Sequence, residues 1–262
     1  MSDPIRLLDS GLKPARWNIA MTAALAELHR AGRIPDTLRF HRYPRSILLG
    51  RNQVLAQEVD VERCRSDGLE IARRVTGGGA VYMSPGILAW DVVADRGRLG
   101  LRLADAAETI LNAVASGLAR LGLRAKHGAP NAITIEGRKV CGASGSFEGP
   151  GVLMQGTILV DFDLLEMARV LKAPDGQGSR AANVASLAEF LGRVPANGEI
   201  VAALAASLSD ALRRPIEPRE AGEEEISLAG RLLADTIGTE EFVTGQTIVP
   251  LATRSSKARG GA

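Results

Sequence analysis

Cysteine is scarce in this chain: Cys64 and Cys141 are its two thiols among 262 residues. They form no CxxC pair and stand in no Cys/His metal spacing. That excludes a disulfide scaffold and a zinc module, and both read as reduced thiols of a cytosolic protein. Aromatic residues are few, 3%, so a core has to be assembled from Ala, Leu, Val and Ile. Neither sign of charge dominates: the net charge is +2 and the basic residues are dispersed, leaving no electrostatic footprint for nucleic acid. No apolar run reaches the ~18 residues of a membrane span, and the opening "MSDPIRLLDS" lacks the basic and apolar regions of a signal peptide. These absences predict a cytoplasmic globular protein with neither nucleic acid nor a membrane as partner.

What is present is a hydrophobic fraction of 45% over a length that suits one large domain, or one plus a small appendage. Residues from Pro14 to about Ala31 have helical period, with Trp17, Met21, Ala24 and Leu28 on one face and Gly32 past the end. "LRFHRY" and "SILLG" read as strands around a turn at Pro44, and "VERCRSDGLE" as a short helix ending at Gly68. "IARRV", "AVYM" and "ILAWDVVA" read as strands, the last two joined by a hairpin-like turn at "SPG". Leu103 to Leu121 forms a helix with an apolar face through Ala107, Ile110, Val114 and Leu118. "AITIEGRKVCGAS" reads as two strands around Glu136-Gly137, and "GVLMQGTILVDF" as a strand pair or one long strand. "DLLEMARVL" is a helix with Asp163 as its N-cap. "VASLAEFLG", "EIVAALAASLSDALR" and "EEEISLAGRLLADTI" complete the helices. Strands around one central helix, then a run of helices, predict an α+β fold with a mixed sheet flanked by helices.

Three stretches could carry chemistry. In "RRVTGGGAVY", Gly77, Gly78 and Gly79 let main-chain N–H groups face a ligand, a nest that suits phosphate oxygens. Arg73 and Arg74 precede them and, on a strand, point to opposite faces, so one of the two can serve the site. The loop is neither a Walker loop nor a dinucleotide fingerprint, and it can equally be a flexible connection. In "NAITIEGRKVCGAS", Lys139 follows a tight turn; it is either an electrostatic clamp beside a phosphate loop or a solvated turn lysine. In "MQGTILVDF", Gln155, Gly156 and Thr157 interrupt an apolar run, marking a close backbone approach or a bulge. His29, His41 and His127 form no catalytic set and read as structural or exposed, and Cys141 reads as a buried, inert thiol.

Together these pieces resemble the lipoate–protein ligase family, within the biotin/lipoate protein ligase superfamily. "RRVTGGGAVY" is similar to that family's R-R-[ST]-G-G-G-A-V-[FY] signature, and "PNAITIEGRKVCGAS" to its Asn segment followed by G-[RK]-K-[IV]-[SA]-G. "MQGTILVDFDLLEMARVL" resembles its H-G-T-[LI]-L…D-L segment, while "RWNIAMTAAL", "LLGRNQ" and "SRAANVASLAEFL" match in order. The resemblance implies activation of lipoate by ATP, its magnesium carried with the nucleotide, as lipoyl-adenylate. The acyl group then passes to a lysine of an acceptor carrier protein: H-protein-like, an E2 lipoyl domain or a specialised lipoate-binding protein. By position it implies that Lys139 bridges the acyl carbonyl and the α-phosphate, and that Arg74, less so Arg73, holds the carboxylate or phosphate. It further implies Gly77, Gly78 and Gly79 as backbone donors, Ala80, Val81 and Tyr82 along the adenine, and Asn131 by the phosphates. Gly142, Ala143 and Ser144 would form a close-approach strand, with Gln155, Gly156 and Thr157 facing the acyl tail.

The departures carry their own expectations. Met83-Ser84 replaces a common His-Asp, Ile87 a common Asn, and Gln155 a common His, so a less polar pocket is expected. Ala132 replaces the acidic residue after the family Asn and offers no oxygen to a metal; no protein-bound metal is expected. Residues 1–215 are expected to be the catalytic domain, 216–250 a helical C-terminal extension of it without the full accessory domain of long members, and 251–262 a disordered tail. A separate accessory chain fits that ending. The rival reading is an octanoyl/lipoyl transferase working through a Cys thioester. In one transferase group the Cys lies where this chain has Pro174-Asp175-Gly176, and in another it precedes the Asn segment, where residues 65–140 contain none. A non-catalytic lipoyl-binding paralogue is the other alternative.

Overall fold

The computed structural model describes residues 3–100, 102–128, 131–172 and 183–245. The tail reading for 251–262 and the Pro174-Asp175-Gly176 stretch lie outside these residues. Strands are β1 (Ile5–Leu12), β2 (Thr37–Arg42), β3 (Ser46–Leu49), β4 (Glu70–Arg73), β5 (Val81–Met83), β6 (Ile87–Asp95), β7 (Lys126–Gly128), β8 (Ala132–Ile135), β9 (Arg138–Glu148), β10 (Gly151–Leu159) and β11 (Ile216–Pro218). Helices are α1 (Ala15–Arg30), α2 (Leu55–Glu58), α3 (Val61–Ser66), α4 (Leu103–Arg120), α5 (Leu164–Val170), α6 (Leu187–Leu191), α7 (Asn197–Leu212), α8 (Glu223–Leu232) and α9 (Glu240–Thr244).

Eight strands form one sheet in the order β11-β1-β2-β6-β10-β9-β8-β7, and β4-β3-β5 form a second. The large sheet is mixed: β1 runs parallel to β2 and β11, and the ladders from β2 to β7 are antiparallel. The fold is α+β, as expected. Period-2 alternation divides the core between the two faces of β6. Ala89 and Val93 pack with α1 and the small sheet, whereas Trp90 and Val92 pack with α4 and α7.

Local chemistry explains the ends. Pro14 precedes α1 and offers no side-chain cap, so the Glu70 carboxylate accepts from Ala15 N at 2.7 Å and Arg16 N at 3.0 Å in its place. Asp163 caps α5 as anticipated, accepting from Leu165 N and Glu166 N. Glu136 and Gly137 both take positive φ, the geometry of a tight hairpin turn between β8 and β9.

Two expectations about pairing change. "AVYM" and "ILAWDVVA" form no hairpin: β5 joins the small sheet and β6 the large one. The Gly86 carbonyl between them accepts from Val160 N and Asp161 N, so the chain is handed to the end of β10 instead of folding back. Likewise β2 and β3 leave the Pro44 turn for different sheets. "GVLMQGTILVDF" contains the single strand β10, and β1 and β11 were not anticipated. Among the described residues no helix is long and apolar enough to cross a membrane.

Candidate active site

A cavity of about 410 Å³ opens between the two sheets. One wall is the main chain between β4 and β5. Arg74, buried at the end of β4, donates to Leu48 O, Gly77 O and Gly79 O, each at 2.9 Å, and so holds the glycine loop in shape. Burial depresses its guanidinium to about 10. The loop lies on the "LLGRNQ" segment: a Cβ at Gly50 would fall 1.9 Å from Gly78 O. Gly78 itself has φ +91°, a conformation that favours glycine. The N–H groups of Gly77, Gly78 and Gly79 donate to no described residue.

The opposite wall is built from side chains on four adjacent strands. Register puts Gly142, Thr157, Ala89 and His41 in one row across β9, β10, β6 and β2. Ser144, Gln155, Asp91 and Arg39 make the next row on the same face. The second row is a closed hydrogen-bond network. Gln155 accepts from Thr76 Oγ1 at 2.8 Å and donates to Asp91 Oδ1 at 2.9 Å. Asp91 Oδ2 also accepts from Thr22 Oγ1 at 2.7 Å and Arg39 Nη1 at 3.1 Å. Arg39, fully buried, is further held by Ser10 and Asn18. Thr76, which opens the glycine loop, lies 3.1 Å from Ser144 Oγ, so the network ties the main-chain wall to the side-chain wall.

Lys139 reaches this face through a bulge. Thr134 pairs with Lys139 and Ile133 with Cys141, leaving Val140 as the extra residue. Strict alternation would set Lys139 with Cys141; the bulge sets it with Gly142 instead. A Cβ on Gly142 would meet Lys139 Cε and Nζ at 2.7 Å: the lysine side chain lies in the space that glycine leaves open. Its ammonium has no hydrogen-bond or ion-pair partner among the described residues.

The model of the lipoyl protein ligase A/B catalytic domain matches residues 14–209. The chain belongs to that family. Lipoate-protein ligase A subunit 1 of Thermoplasma acidophilum is 31% identical over 246 residues, covering 88% of this chain and 92% of the relative. The octanoyltransferase LipM of Symbiobacterium thermophilum is 28% identical over 266 residues, covering 90% and 97%. Among solved structures, a bipartite lipoate protein ligase with its E2 lipoyl domain from T. acidophilum superposes with a TM-score of 0.85 at 30% identity, covering 95% of this chain and all (100%) of that one. A lipoate-protein ligase A bound with ATP superposes at 0.83 with 29% identity, covering 94% and 100%.

Of the residues that the lipoate-ligase resemblance singled out, Arg74, Gly78, Gly79, Ala80, Val81, Tyr82, Lys139, Gly142, Ala143, Ser144, Gln155, Gly156 and Thr157 line the one cavity. Arg73, Gly77 and Asn131 do not. Arg73 turns away and donates to carbonyls of Gly50, Arg51, Gln53, Phe242 and Val243, stapling α9 to the loop after β3. Asn131 is exposed with φ 54°, and its carbonyl accepts from Ala143 N. Gly156 lines the cavity with main chain alone, because a Cβ there would lie 2.2 Å from Trp90 Cζ2 on the far face. Tyr82 is hydrogen-bonded to Glu166, which also pairs with Arg45.

His41, Tyr43 and Asp91 join Met83 and Gln155 along the cavity. All three were missed. A signal existed in Asp91, a lone carboxylate inside the apolar strand "ILAWDVVAD", since a charge in a buried strand demands a partner. His41 Nε2 lies 3.1 Å from Tyr43 Oη, and its Nδ1 is buried without a hydrogen bond. Burial, aided by Arg39, lowers the imidazole to about 3, so it is neutral. Both thiols are off the cavity. Cys141 is buried on the α4 face and pushed up to about 12 by burial, and Cys64 to about 11. Among the described residues no three His, Cys, Asp or Glu side chains are grouped to hold a metal ion. Ala132 offers no side-chain oxygen to a metal.

Proposed function

We propose that this chain is an ATP-dependent lipoate–protein ligase, and the observation that carries the reading is the unpartnered Lys139 ammonium lying over Gly142 in the cavity. The carboxylate oxygen of lipoate attacks the α-phosphorus of ATP, the bond to pyrophosphate breaks, and lipoyl-adenylate forms. The ε-amine of an acceptor lysine then attacks the acyl carbon; AMP leaves, and the amide forms with loss of a proton. Negative charge grows on oxygen in both steps, where fixed donors contribute most. Lys139 sits between the acyl carbonyl and the α-phosphate. The N–H groups of Gly78 and Gly79, which line the cavity, face phosphate oxygens. Arg74 acts mainly by holding that loop, and Arg73 by fixing the segment beneath it. Ala80, Val81 and Tyr82 border the adenine. Magnesium arrives with the nucleotide. The acceptor is a lipoyl carrier, supported by a similar ligase whose structural analysis also covers its E2 lipoyl domain. A second, accessory chain fits the "subunit 1" in a relative's name.

The transferase reading draws on the LipM relatives, but it requires a thiolate in the cavity, and burial keeps Cys141 protonated on the opposite face. The test is to incubate the protein with lipoate and a lipoyl domain, with and without Mg·ATP, and weigh the acceptor. Modification that requires ATP and persists in Cys141→Ser supports the ligase. ATP-independent transfer from an acyl-carrier thioester, lost in Cys141→Ser, would replace it with the transferase.

A further inference from the structure

No residue of α9 lines the cavity, yet the last turn of this helix is tied to the glycine loop through one side chain. The helix has five residues, Glu240–Thr244, too few to persist without tertiary partners. Its closing carbonyls need donors from elsewhere. Arg73 supplies them: Nε donates to Phe242 O and Val243 O, both at 3.0 Å, and Nη2 to Val243 O at 2.8 Å. The other branch of the same guanidinium, Nη1, donates to Gly50 O and Arg51 O, both at 3.1 Å, and to Gln53 O at 2.8 Å. A planar fork lets one residue hold both sides, which a single ammonium cannot do in the same geometry. Arg73 is 3% exposed, so these carbonyls stand in for the water it has lost.

Residues 50–53 carry the link onward. Arg51 N donates to Thr76 O at 2.9 Å, and Gly50 N to Gln53 Oε1 at 2.8 Å. Gly50 lies so close under Gly78 that a Cβ there would stand 1.9 Å from Gly78 O. Thr76 opens the glycine loop, and Gly78 lines the cavity. The path from α9 through Arg73 and residues 50–53 to the loop is therefore continuous. A second arginine fixes where α9 starts: Arg16 Nη1 donates to Gly238 O at 2.7 Å and Nη2 to Glu240 Oε1 at 2.6 Å. The facing wall has its own network, which meets this path at the Thr76 side chain.

We propose that α9 belongs to the nucleotide site: Arg73 is a positioning residue that passes the seating of α9 through residues 50–53 to the glycine loop, so that nucleotide affinity depends on a helix outside the cavity. Unseating α9 strands a buried guanidinium, which must then turn toward water and release residues 50–53 with it. The inference rests on the ligase reading for placing ATP phosphates at the glycine loop.

The test uses the full chain carrying Arg73→Lys, the pair Thr239→Ala and Val243→Ala, or all three changes. The pair removes the N-cap hydroxyl of α9 and a buried side chain within it. Thermal melting checks that each variant folds, and Arg73→Lys decides alone if the pair does not. Affinities for α,β-methylene-ATP and for lipoate are measured separately by isothermal titration calorimetry, and hydrogen exchange is followed at Gly50 and Arg51. Loss of hydrogen bonds to a charged group should weaken the nucleotide analogue about tenfold in Arg73→Lys and in the pair. Lipoate affinity should hold, and the Arg51 amide should exchange faster. The triple variant should be no weaker than Arg73→Lys, because both sets of changes break one path. Unchanged nucleotide affinity in Arg73→Lys, equal losses for both ligands, or additive losses in the triple variant overturns the inference. If the unmodified protein binds no nucleotide, the ligase reading fails by itself; faster Arg51 exchange in the variants would still uphold the link from α9 to the loop, and unchanged exchange would overturn it.

Discussion

The wall carrying the glycine loop is main chain held by one arginine, whereas the wall facing it is side chain drawn from four strands. The first takes its shape from what is missing: no Cβ at Gly50, so that Gly78 O can lie against it, and loop N–H groups that donate to no described residue. The second takes its shape from mutual satisfaction. Asp91, Arg39, Gln155, Thr22 and Thr76 are buried and bonded to one another, because a buried charge left unpaired is far costlier than any one hydrogen bond gains. The contrast teaches that one wall depends on main chain held in place by a buried guanidinium, and the other on side chains that satisfy one another.

Lys139→Ala removes the ammonium between the two walls and should have the largest effect on chemistry. Pyrophosphate release should drop about a thousandfold with no change in melting temperature, since the side chain is exposed and unpartnered. Unchanged release would remove Lys139 from the reaction. Asp91→Ala attacks the rigid wall. It strands the fully buried Arg39 guanidinium and should cost about 3–5 kcal/mol of stability, read by chemical denaturation; a cost near zero would mean that the network is not closed as described. Gly50→Ala attacks the main-chain wall. Its new Cβ meets Gly78 O, and overpacking of this kind costs about 1–3 kcal/mol. The KM for ATP should rise while that for lipoate holds; if lipoate suffered equally, the two walls would not be separable.

How much was legible follows the same division. The glycine loop is contiguous, so its composition announced it, and the α+β pattern and most helices followed from period and caps such as Asp163. The row from Gly142 to His41 was not legible, because its members come from positions 41, 89, 142 and 157 and meet only through strand order. Nor was the hand-over at Gly86, which sends β5 and β6 to different sheets. Arg73 and Arg74 were expected on opposite faces; what each would meet was not legible, and the fold turned one toward α9 and the other under the loop.

By itself the chain of residues determined the class of fold, a glycine loop and a lysine just past a tight turn, because these depend on local backbone preference and short-range pattern. The tertiary structure decided which face that lysine occupies, through one bulged residue at Val140. It also decided that Cys141 points into the core and that His41 lines the cavity. Those outcomes depend on register, and register is fixed only when distant strands bury their faces together.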